Sequence, residues 1–113
     1  MYSALMVRRP VSRVARHAAE LLGASIRAGR ADRGWRIEDL AERAQVSRAT
    51  IMKVERGDLG VAVGTVFDCA SLVGVPLFHE DEQWLADEVR RTRPALMRKK
   101  VRRVPQEDVD LDF

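Results

Sequence analysis

A single cysteine among 113 residues excludes an intrachain disulfide. Cys69 standing alone suits a reducing compartment, and its place beside the apolar residues of a helical stretch reads as a buried free thiol. Aromatics make up only 5% of the chain, so the core must come from Leu, Ile, Val and Ala, as in helix-on-helix packing. No apolar run approaches the roughly 18–20 residues that a bilayer span requires. The opening ten residues lack the charged-then-apolar order of a signal peptide. A soluble, cytoplasmic protein without a membrane partner is the default. Histidine is also scarce: His17 and His79 stand apart, and His79-Glu80-Asp81-Glu82 lacks the second histidine at i+4 that a zinc motif needs. The glycine-punctuated run from Gly57 to Thr65 holds no lysine and follows no strand, which excludes a phosphate loop. Nothing supports a catalytic residue, a metal or a cofactor, and no enzyme is expected.

What is present fits one domain with tails. The hydrophobic share is 46%, ordinary for a globular chain, and the length is too short for two common domains. A net charge of +3 leans modestly toward a polyanionic partner. The distribution says more. Arg8, Arg9, Arg13, Arg16, Arg27, Arg30 and Arg33 face only Glu20 and Asp32 in the first 35 residues. Between residues 36 and 58, five basic groups balance five acidic ones. Residues 78–89 are purely acidic in charge, 90–103 purely basic, and 105–113 acidic again. Such blocks point to faces or tails that meet different partners, or to solvated surface. The acidic start at 79–82 suits a helix N-terminus.

The stretch from Ile37 to Gly57 organises the rest. Ile37, Leu40, Ala41 and Ala44 recur at i, i+3, i+4 and i+7, one face of a helix. After a bend at Gln45 and Val46, Ser47 is placed to cap a second helix whose inner face is Ile51 and Val54. Gly57 supplies the left-handed residue that ends it. Ala41 is small where two steeply crossing helices must approach closely. Two short helices across such a turn make a helix-turn-helix.

On either side the pattern predicts three more helices. One starts at Ser12, with Val14, Ala18, Leu21, Leu22, Ser25, Ile26 and Gly29 along one stripe, and stops at Arg33-Gly34. Trp35 follows as a core plug, and Gly23 and Gly29 weaken this helix slightly. A fourth runs from about Gly64 to Val73, burying Val66, Phe67, Ala70 and Val73. Leu77 and Phe78 close the core. A fifth covers about Glu80 to Thr92 with Trp84, Leu85 and Val89 inward, before a break at Arg93-Pro94. The expected organisation is an arm over 1–11, an all-α domain over 12–92, and a charged tail over 93–113. Leu96 to Val104 is either a strand or a short helix. The closing V-D-L-D-F alternates apolar and acidic residues on a span too short to fold alone.

These residues resemble the Cro/C1 repressor family of helix-turn-helix proteins, also called the XRE family. The likeness runs from about Leu22 to Leu77. It rests on Leu40-Ala41, Val46-Ser47-Arg48, Ile51 and Glu55-Arg56-Gly57. Gln45 departs from the glycine usual at the turn, a left-handed position that costs another residue about 1–2 kcal/mol. The resemblance implies a five-helix, lambda-repressor-like fold with flexible ends, and a recognition helix from Ser47 to Arg56. It implies that Arg48, Ala49 and Lys53 face base edges, a face that periodicity also sets opposite Ile51 and Val54. Arg48 and Lys53 suit guanine, while Ala49 and Thr50 offer methyls to thymine. Arg36, Ser47, Thr50 and Arg56 are suited to phosphates. Arg33 and Arg43 read as solvated surface. Glu38 and Asp39 are able to face away from DNA. Arg30 and Glu55 match a buried ion pair that the family often forms, a scaffold rather than a site.

The implied function is a dimeric transcriptional repressor on a palindromic double-stranded DNA operator. Leu59, Val61, Val63 and the fifth helix are the candidate dimer surface. The tail adds a resemblance to antitoxins of the HipB type, which neutralise a HipA-like kinase toxin and autorepress their operon. Val109, Leu111 and Phe113 would then anchor the toxin, steered by the acidic residues between them. The alternatives are a stand-alone or prophage-type repressor, and a protein-interaction module for which the charge-balanced 36–58 segment argues. The basic tail also suits either DNA beside the operator or a solvated linker.

Overall fold

Ser12 starts the first helix by accepting a hydrogen bond from the Ala15 amide at 3.1 Å. A computed structural model describes residues 10–78 and 81–98. Among them are five helices: α1 (Arg13–Asp32), α2 (Ile37–Ala44), α3 (Arg48–Glu55), α4 (Val63–Leu72) and α5 (Glu82–Arg98). The all-α, five-helix expectation holds. Residues 1–9 of the expected arm and 99–113 of the expected tail lie outside the described residues, and Val109, Leu111 and Phe113 with them.

The first four helices share one core. α1 and α2 each pack on both α3 and α4. The buried set is Ile26 from α1, Leu40 and Ala41 from α2, Ile51 and Val54 from α3, Cys69 and Ala70 from α4, and Val73 just after it. Leu22, Trp35, Val46, Val66 and Leu77 pack around this centre. The core is almost wholly aliphatic, as the scarcity of aromatics implied.

α1 keeps Leu22, Ser25, Ile26 and Gly29 of the expected stripe on its inner side but turns Val14, Ala18 and Leu21 outward. Val14 and Leu21 are 78% and 70% exposed, while Gly23 and Ile26 are buried. The reason is close approach. A Cβ on Gly23 would lie 2.5 Å from the Val54 carbonyl oxygen, so only glycine lets α1 meet the end of α3. Reading Gly23 as a helix-weakening residue misses that role. Adding a methyl there would force the two helices apart at about 1–3 kcal/mol.

Arg33 and Arg43 also differ from expectation. The Arg43 guanidinium sits 4.0 Å from the centroid of the Trp35 ring, with that of Arg33 at 5.7 Å. Arg33 further donates to the Val73 carbonyl at 2.6 Å. Arg33 therefore ties the α1–α2 corner to the end of α4 through a charge-assisted bond, while Arg43 lies over Trp35 from α2 in a cation–π contact.

The C-terminal third departs most. Phe67 is partly exposed rather than buried. Phe78 does not close the core: it is 86% exposed, with φ at +65°, and that backbone turns its side chain outward. Helix α5 contains no buried residue; Trp84 and Leu85 are half-buried and Val89 is exposed. It also passes through Pro94 without stopping. Pro94 removes one helix hydrogen bond to the Arg90 carbonyl. Both residues are exposed, so water can take over that bond. No helix among the described residues is long and apolar enough to cross a membrane.

Candidate nucleic-acid interface

The turn between α2 and α3 sets the geometry of everything exposed on α3. Gln45 adopts the left-handed conformation, φ 59° and ψ 44°, which is the glycine-like bend of a helix-turn-helix. The Val46 amide closes the turn on the Ala41 carbonyl at 3.0 Å. Ser47 then caps α3, its hydroxyl accepting from the Thr50 amide at 3.1 Å. The Ser47 and Thr50 hydroxyls also bond each other at 2.9 Å. One hydroxyl hydrogen of that pair is left to donate, which is what a phosphate oxygen accepts. At the far end Gly57 takes φ 81°, and a Cβ there would lie 2.8 Å from the Cα of Glu20 on α1.

With Ile51 and Val54 buried, Arg48, Ala49, Met52, Lys53 and Arg56 stand exposed on the opposite face and Thr50 is half-buried. Sequence periodicity identified that face correctly. Arg36 stands at the N-cap of α2, where its amide donates to Asp39 Oδ2 at 2.8 Å. That backbone bond, more than the nearby arginine charges, holds the Asp39 carboxyl below its ordinary pKa.

Charge pairing explains the electroneutral stretch. Arg48 Nε lies 3.2 Å from Glu38 Oε2. Glu38 thus does not face away; it reaches across the turn to the first residue of α3. Arg36 lies 3.7 Å from Asp39 and Arg56 lies 3.5 Å from Asp58. Asp58 is itself fixed by the Gly60 amide at 2.7 Å, the largest cause of its lowered pKa. Lys53 has no ion-pair partner among the described residues. The acids on this face therefore restrain arginines, and the helix still presents a cationic side.

Beneath it lies the Arg30–Glu55 pair. Arg30 Nε and a terminal nitrogen meet the two Glu55 oxygens at 2.6 and 3.0 Å. A third donation from Arg30 reaches the Trp35 carbonyl at 2.9 Å. Both side chains are largely buried. The hydrogen bond to Glu55 is the main reason the Arg30 pKa is raised, outweighing desolvation. This fork fixes the end of α3 against α1 and the α1–α2 corner, as the resemblance implied.

The geometry adds Arg27, which sequence reading does not single out, and returns Glu38 to the face it was expected to turn away from. Glu38 belongs to the face through Arg48. Met52, Arg56 and Ile37 line one shallow depression with Arg27 from α1, which sets a further cation beside the end of α3. Arg27 has no local sequence signal, because only the α1–α3 packing brings it there.

A model of the helix-turn-helix domain family matches residues 21–83. No curated protein and no solved structure matches the chain. The matched span holds the turn at Gln45, the capped α3 helix and the Arg30–Glu55 fork, and covers more than half of the 113 residues. The chain belongs to the helix-turn-helix domain family, whose fold binds DNA.

Proposed function

We propose that this protein is a sequence-specific transcriptional repressor of the Cro/C1 type, binding a palindromic operator as a dimer in the cytoplasm. The observation that carries the reading is the exposed face of α3: Arg48, Ala49 and Lys53 together on a helix held by a turn, a cap and a buried ion pair. Arg48 and Lys53 donate to guanine O6 and N7, and Ala49 meets a thymine methyl. Arg36, Ser47, Thr50 and Arg56 anchor phosphates and set the register. Two copies on a palindrome place their α3 helices about 34 Å apart. Selection of bound duplexes from a random pool, followed by footprinting, tests this. The expected site is an inverted repeat, and Arg48→Ala and Lys53→Ala each weaken its binding. Unchanged specific binding by both variants would sink the α3 assignment.

A second reading, carried by the alternation in V-D-L-D-F, adds a protein partner. On it the chain is the antitoxin and autorepressor of a type II toxin–antitoxin operon, with Val109, Leu111 and Phe113 gripping a HipA-like kinase toxin. Acidic residues between the anchors steer the tail to a basic groove. The expected result is co-purification with the kinase that disappears when residues 105–113 are deleted. Co-purification that ignores the deletion excludes the tail as the anchor.

A further inference from the structure

Two apolar side chains meet on the cationic face. Met52 is exposed on α3, one helical turn beyond Arg48 and Ala49 and on the same side of the helix. Ile37, the first residue of α2, is half-buried. They come from different helices to line the shallow depression beside the end of α3, with Arg27 and Arg56 also on its wall. Arg30 and Glu55 close it from within, and their charges satisfy each other. A lone exposed apolar residue needs no explanation. Two that converge within the surface facing the duplex form an apolar seat with a cationic rim.

Charge and chemistry identify what fits this seat. Arg27 has no ion-pair partner among the described residues. Arg56 is held only by Asp58, at 3.5 Å. Both guanidinium groups attract phosphate oxygens, which draws the wall of a DNA groove against the rim. The group that enters between them must be apolar and must project from a base edge. In the major groove that group is the C5 methyl of a pyrimidine. The donors and acceptors of the other base edges would be buried unpaired against Met52 and Ile37, at a cost in binding. Methionine is also the apolar side chain that adapts most readily to a small projecting group.

We propose that Met52 and Ile37 seat the C5 methyl group of a pyrimidine, in a base pair neighbouring the guanine read by Arg48, with Arg27 and Arg56 on the flanking phosphates. Thymine and 5-methylcytosine carry this methyl at the same place. The seat is distinct from Ala49, which stands three residues earlier on α3. It makes affinity depend on a second methyl in each half-site, whether the base supplies it or methylation of cytosine does. The proposal rests on the reading of the α3 face as the one that recognises an operator.

Exchange of single bases in the selected operator tests it on the full-length chain. Uracil in place of thymine removes one methyl and keeps every hydrogen-bonding group of the base edge. At one position per half-site, beside the guanine assigned to Arg48, this exchange is expected to weaken binding about four-fold, the worth of one buried methyl. Where cytosine occupies that position, 5-methylcytosine is expected to strengthen binding by the same factor, and methylation is then the source. Met52→Ala abolishes the effect at that position and leaves the effect of uracil opposite Ala49 unchanged. Met52 is exposed and alanine favours a helix, so the variant keeps its fold. Arg27→Ala weakens operator and scrambled duplex alike and lowers the salt slope of binding by about one; an unchanged slope overturns its place on the rim. A methyl effect that survives Met52→Ala, or no methyl effect beside that guanine, overturns the seat. If Arg48→Ala still weakens operator binding in that case, the repressor reading stands without it. Failure to select any duplex overturns both.

Discussion

Glu38 on α2 reaches across the turn to Arg48 at the start of α3, with its Oε2 atom 3.2 Å from the arginine Nε. Both side chains are more than half exposed, so the pair contributes at most about 1 kcal/mol to stability. Its effect is on aim. A long side chain with many rotamers is held by a partner on a rigid neighbouring helix, at the position expected to meet a base.

Glu38→Gln removes the restraint and one negative charge from the α3 face. Binding to scrambled duplex is expected to strengthen a few-fold, because phosphate attraction grows. Binding to the selected operator is expected to gain less or to weaken. The ratio of the two affinities, titrated at one salt concentration, therefore falls. A ratio equal to that of the natural chain would remove Glu38 from any role in specificity.

Arg30 and Glu55 should behave as a unit. Arg30→Ala or Glu55→Ala strands a largely buried charge and is expected to cost about 3–5 kcal/mol. Arg30→Met combined with Glu55→Leu leaves no charge behind and should cost much less than the two single losses added together. Urea denaturation of the three variants measures this. Additive losses would show that the two side chains are not coupled.

Gln45 sits at φ 59° without being glycine. Gln45→Gly relieves a left-handed strain of about 1–2 kcal/mol, part of which is offset by the greater freedom of glycine in the unfolded chain. A net gain of about 0.5–1 kcal/mol is expected in the same urea measurement. A loss of stability would mean that the glutamine side chain contributes more than its backbone costs.

Cys69 is fully buried, and burial pushes its thiol up from 9.0 to about 11. The folded state therefore keeps its proton where the unfolded chain loses it. The resulting stabilisation is complete below pH 9 and declines as pH rises from 9.0 toward about 11. Native protein at pH 8 should react with a thiol reagent only as fast as it opens, and promptly once unfolded. Rapid native labelling would place Cys69 at the surface.

Much of the fold and of the candidate interface was legible in the order of residues. The apolar spacing of Ile37, Leu40, Ala41 and Ala44, the cap at Ser47, and the stop at Gly57 describe two helices and a bend by local rules alone. The face of α3 follows directly, since Ile51 and Val54 can point only one way. Where a segment was amphipathic but its partner was remote, reading was poorer. Periodicity draws the α1 stripe through Leu22, Ser25, Ile26 and Gly29 correctly but extends it to Val14, Ala18 and Leu21 and misses Gly23, because it cannot tell a large exposed residue from a glycine that a neighbour's backbone must touch. Pro94 reads as a stop by local rules, although an exposed helix can lose one bond to water and continue, as α5 does.

Composition, periodicity and capping by themselves determined that the chain is all-α, that it contains a helix-turn-helix, and which side of its second helix faces outward. These are properties of short windows, settled by local geometry and by the requirement to bury apolar side chains. Tertiary structure alone decided that Gly23 is a contact and not a defect, that Glu38 holds Arg48, that Arg33 and Arg43 flank Trp35, and that α5 keeps its apolar seam outside the core. Each of those depends on how the folded helices and their connections set one surface against another, and no helical periodicity records that.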